Sequence, residues 1–81
     1  MSEKRIALLG IIVSSGDAVE KVNACLHEYG EHIVGRMGLP LRDRGVSAIS
    51  VVMDADTNIV NALSGKLGAV RGVTAKALFQ K

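Results

Sequence analysis

The chain has 81 residues, 48% of them hydrophobic, with ten basic side chains, eight acidic ones, a net charge of +2 and one cysteine. That length predicts one domain, residues 1–81, with a thin core that buries roughly 60–65% of its unfolded surface. A lone cysteine excludes an internal disulfide and fits a reducing compartment. Basic and acidic residues are interleaved, the pattern of a solvated surface and not of a nucleic-acid footprint. The longest apolar run, residues 6–13, is too short to span a bilayer and lacks a signal-peptide cleavage pattern, so the expected setting is cytoplasmic.

Lys4 to Ser14 reads as a first strand, apolar on both alternating faces and therefore central. Asp17 followed by Glu20 fits a capping box that opens a helix to about Tyr29. Its apolar stripe is Ala18, Val19, Val22, Cys25, Leu26 and Tyr29, and Gly30 is placed to stop it in the left-handed conformation. Glu31 to Leu39 reads as an edge strand, with Ile33, Gly35, Met37 and Leu39 on one face. Pro40 to Gly45 is a turn, and Val46 to Met53 a third strand that is again apolar on both faces. Residues 54–57 offer N-caps for a second helix whose stripe is Ile59, Val60, Leu63 and Leu67 and which Gly68 ends. Gly65 inside that helix is expected to permit close packing against a strand or a subunit. Gly72 opens a fourth strand, Val73 to Gln80.

The order strand, helix, strand, strand, helix, strand gives an α+β fold: a ferredoxin-like βαββαβ sandwich. It has a four-stranded antiparallel sheet of order 4-1-3-2 with both helices on one face. The two central strands, first and third, are expected to lie parallel. The opposite face is left bare although its strands are apolar, so a partner subunit is expected to cover it.

Few constellations carry chemistry. Ser14, Ser15, Ser47, Ser50 and Ser64 have no histidine partner with an orienting acid, and no enzyme is expected. Cys25, His27 and His32 are the weak candidates for a metal. Cys25 and His27 are two apart on a helix and diverge, so no site closes within one chain and no cofactor is expected. Residues 63–68 carry a Gly-Lys pair inside a helix, without the following Ser or Thr of a phosphate loop. The central strands lack the aromatics on which RNA bases stack. Arg36, Arg42 and Arg44 surround the strand two–three hairpin, where they serve an acidic partner or anionic ligand, or blunt the edge.

Several stretches together resemble one family, the small ACT-like regulators of the iron-only hydrogenase system. They are Val22-Asn23, Leu26-His27, the run Ile33 to Pro40, the run Asn61 to Gly68, and Gly72-Val73. Arg-x-Gly-x-Pro followed at a distance by Leu-Ser-Gly-Lys-Leu-Gly is the specific combination. The resemblance implies an ACT-like fold, a homo-oligomer (dimer or tetramer), and association with hydrogenase maturation or regulation. ACT-like domains bind small effectors, often amino acids, at subunit interfaces near the first strand–helix turn, which here is Ser14, Ser15, Gly16 and Asp17. The His-x-His pair of related nickel-responsive regulators is absent. Transcriptional control is expected to need a partner.

The expected function is therefore a non-catalytic regulatory or ligand-sensing oligomer. Its ligand-binding candidates are Ser14, Ser15, Gly16 and Asp17 together with Arg36, Gly38 and Pro40. The expected partners are a second copy, a small-molecule effector and a hydrogenase maturation protein, with no direct nucleic acid and no membrane. A metal-binding module at a subunit interface, or a pure interaction scaffold, are the alternatives.

Overall fold

The computed structural model describes residues 3–81. In chain order it comprises β1 (Lys4–Val13), α1 (Ala18–Glu28), a 3-10 turn at Gly30–His32, β2 (Ile33–Leu41), a 3-10 turn at Arg42–Arg44, β3 (Val46–Asp56), α2 (Thr57–Gly68) and β4 (Val73–Phe79). The four strands form one sheet of order β2-β3-β1-β4. This is the expected 4-1-3-2 order read from the other edge, in an α+β fold of βαββαβ type.

Every neighbouring pair is antiparallel, the central β1–β3 pair included, which corrects the parallel expectation for those two strands. The reason is geometric. A helical crossover returns the chain in its original direction, but here each crossover skips one position. The parallel pairs are thus β1 with β2 and β3 with β4, each separated by an intervening strand.

The core lies between the sheet and both helices. Ala7, Leu9, Ile11 and Val13 of β1 meet Val51, Met53 and Ala55 of β3 beneath Ala18, Val22 and Leu26 of α1 and Val60, Leu63 and Leu67 of α2. These positions are the two-residue and 3.6-residue repeats of the sequence, brought into one cluster. The even-numbered positions of β1 point away from the helices, and Ile6, Leu8 and Ile12 remain exposed. Nothing among the described residues covers that face.

The two helices begin differently. Asp56 is an extended N-cap whose Oδ1 accepts from the Ile59 N–H at 3.1 Å. Asp17 makes no capping hydrogen bond and has helical backbone angles. An N-cap needs extended backbone to swing its side chain over the first amides, so the expected capping box does not form. Gly30 also departs from expectation, because it has no positive φ and enters the 3-10 turn. Positive φ occurs at Gly45 and Gly72.

The β2 strand runs on through Pro40 to Leu41, and β3 continues to Asp56, so Asp54 is a strand residue paired with Ile6 and not a cap. A bulge between Ile33 and Gly35 changes which way β2 faces. Ile33 pairs with Met53 on the helix side, whereas Gly35, Met37 and Leu39 pair with Val52, Ser50 and Ala48 on the bare side. The expected common face of Ile33 with Met37 and Leu39 is therefore broken by one extra residue. A Cβ built on Gly65 would meet nothing within 4 Å, so no strand of this chain packs against it. Lys66 ties the helices together. Its Nζ donates to Glu28 Oε2 at 2.8 Å and sits 5.4 Å from the Tyr29 ring centroid. The hydrogen bond to Glu28 raises its pKa above the ordinary lysine value.

Candidate ligand-binding groove

Beyond the bulge, the β2 residues that face the helices are Arg36, Gly38 and Pro40, paired with Val51, Ile49 and Ser47. Glycine offers no side chain and proline a short ring, so the space between α1 and the edge strand is not filled. The result is a hollow of about 250 Å³ among Val19, Asn23, Arg36, Gly38, Pro40 and Ile49. It continues past Val19, Pro40 and Ser47 into a second hollow of about 200 Å³. That second hollow is bounded by Ser15 and Gly16 on the first turn and by Leu41 and Arg42 on the hairpin. The two form one groove.

The first turn is fixed from behind. The Ser14 N–H donates to the Gly72 carbonyl at 2.7 Å. Gly72 holds φ at +83°, and a Cβ there would come within 2.9 Å of the Ser15 Cβ, so only glycine fits this close approach. The Ala18 N–H donates to Ser15 O and the Val19 N–H to Gly16 O. The amides of Ser15, Gly16 and Asp17 find no acceptor among the described residues.

At the other end, the Arg36 guanidinium donates through Nη2 to Asn23 Oδ1 at 3.0 Å. The acceptor is neutral, so the bond orients the cation without cancelling its charge. No carboxylate lines either hollow, whereas Arg36 and Arg42 both do. The groove thus combines an apolar floor with cationic ends. It fits a small molecule with an anionic group and an apolar body.

Five of the seven expected ligand residues converge here: Ser15, Gly16, Arg36, Gly38 and Pro40. Ser14 lines neither hollow and serves the contact with Gly72. Asp17 lines a separate depression with Lys21 and Arg71 on the other side of the turn. Val19, Asn23, Ser47 and Ile49 also line the groove and are not among the expected ligand residues. Their one sequence signal is weak: Val19 stands at the margin of the α1 apolar stripe, with Asn23 one turn further on. The weak metal candidates stay apart. Cys25 packs against the core, and His32 Nε2 lies 3.6 Å from Glu31 Oε1. Among the described residues no three His, Cys, Asp or Glu side chains come together as a metal site would need.

Comparison with known proteins places this architecture. The model of one family, described as "TM1266-like: Iron-only hydrogenase system regulator, putative", matches residues 5–77. The chain belongs to this family. The solved structure of TM1266 from Thermotoga maritima is 39% identical, with a TM-score of 0.93, covering 98% of this chain and all of that one. An unknown protein from Galdieria sulphuraria is 15% identical, with a TM-score of 0.65 over 98% of this chain and 46% of its own, and shares the fold alone. No curated protein matches the chain. No helix among the described residues is long and apolar enough to cross a membrane.

Proposed function

We propose that the chain is a non-catalytic, ACT-like regulatory module of the cytoplasm that binds a small anionic ligand with an apolar body in the groove between α1 and β2. The observation that carries this reading is the convergence of two distant segments. Ser15 and Gly16 of the first turn and Arg36, Gly38 and Pro40 of the edge strand border two adjoining hollows that share Val19, Pro40 and Ser47 and have no acidic lining. The ligand's anionic group pairs with Arg36 or with the open amides of the first turn, and its body lies over Val19 and Ile49. The family's description as a regulator supports a sensing role over a catalytic one. Ligand occupancy then acts by favouring one state of a homo-oligomer, or one complex with a hydrogenase maturation protein.

Isothermal titration with a panel of amino acids and small carboxylic acids tests the reading. At least one compound gives saturable heat. Gly38→Leu abolishes that heat by filling the groove, while its Cβ makes only an ordinary contact, 3.9 Å from Ile49 Cγ1, so the fold survives. A silent panel, or a Gly38→Leu protein that binds as the wild type does, removes this site.

A further inference from the structure

The face of the sheet opposite the helices is covered by nothing among the described residues, and its relief follows a rule that the strand register makes visible. One cross-strand row is Gly35, Val52, Leu8 and Leu78; the next is Met37, Ser50, Gly10 and Lys76. In three of the four strands a small residue in one row stands beside a large one in the other. Gly35 neighbours Met37, Ser50 neighbours Val52, and Gly10 neighbours Leu8.

A two-fold axis that runs across the strands between these rows exchanges them. A second copy placed by that axis sets Met37 over Gly35, Leu8 over Gly10 and Val52 over Ser50, with every pairing repeated by symmetry. The same operation sets Ile12 of one copy over Ile6 of the other, beside the open hollow of about 420 Å³ bordered by Ile6, Leu8 and Leu78. Lys76 comes to lie over Leu78 on the edge strand, where its stem covers apolar surface and its amine reaches solvent. Large against small across facing positions is how stacked sheets interdigitate.

Two further observations favour a second copy. Gly10 sits mid-strand at the centre of the sheet, where glycine is unfavourable. A Cβ there would meet only the Lys76 carbonyl, at 4.0 Å, so the chain's own packing does not demand the absence of a side chain. Leu8 of a facing copy does. The face also has the area required. Four strands about 4.8 Å apart and roughly eight residues long present on the order of 500 Å² per copy. A pair then buries roughly 1,000 Å², where specific interfaces begin.

We infer that two copies of this chain stack sheet face to sheet face about that axis, with Leu8 of each seated over Gly10 of the other. The inference is independent of the groove, which lies on the helix side of the sheet.

Light scattering with size-exclusion chromatography on the full chain tests it. The wild type runs at twice the 8.5 kDa chain mass, or at a higher even multiple. Gly10→Leu fills the seat and weakens self-association by roughly a hundredfold or more, with circular dichroism unchanged. The double variant Leu8→Ala with Gly10→Leu exchanges large for small on both copies and restores the dimer. Met37→Asp, at an edge position 70% exposed and outside the core, also yields monomer and is independent of how Gly10→Leu folds. A wild-type chain that stays monomeric at millimolar concentration overturns the inference, whatever else covers the face. So does an oligomer that survives both Gly10→Leu and Met37→Asp.

Discussion

The two β-α-β halves of the molecule share an order of elements and differ in how completely they close. In the second half, α2 starts on the Asp56 cap and buries Val60, Leu63 and Leu67 fully. Its edge strand β4 turns Val73, Ala75, Ala77 and Phe79 inward, each half-buried against the core. In the first half, α1 starts without a side-chain cap. Its edge strand β2 turns Arg36, Gly38 and Pro40 inward and is exposed along its length after Ile33. Same-slot elements thus fill space in one half and leave it open in the other. The difference lies in the inward residues of the edge strands, and it is what creates the groove.

The largest break in this contrast comes from the closed half. Leu63→Ala removes a fully buried side chain and leaves a cavity, and is expected to cost about 3 kcal/mol in urea or guanidinium unfolding. The seam between the halves responds next. Gly72→Ala must hold a positive φ and push against Ser15, at a cost of about 2 kcal/mol, and it disturbs the first turn on which the groove depends. A matched pair of cap variants gives the smallest and sharpest test. Asp56→Ala loses the bond to Ile59 and about 1 kcal/mol, whereas Asp17→Ala, which has no such bond to lose, changes stability by less than about 0.5 kcal/mol. Equal effects of the two cap variants in thermal melts contradict the asymmetry described here.

Much of the fold was legible because the signals that carry it are local. The alternation in β1 and β4 and the helical stripes of α1 and α2 locate the core face residue by residue, and they survive in the structure. The bulge at Val34 was not legible, because a strand with glycines and mixed polarity pairs as well in either phase. The Asp17 cap failed for a related reason. Residue type permits a capping box, but the turn through Ser15 and Gly16 sets the backbone angles, and it places Asp17 in the helical region.

The candidate site was legible in two separate pieces. Both are marked through the family resemblance: Ser15 and Gly16 as part of the first strand–helix turn, and Arg36, Gly38 and Pro40 as part of the run Ile33 to Pro40 that carries it. Nothing in the sequence says that they border adjoining hollows, and Asn23, which orients Arg36, carries no signal of its own.

The sequence by itself determined the elements, their order and the side of each that is apolar, because periodicity is read over a few neighbouring residues. Only the tertiary structure decided that the first turn and the edge strand border one groove, and that large and small residues alternate across the bare face. Both depend on pairings between segments far apart in the chain, and a single extra residue in β2 sets the phase of those pairings.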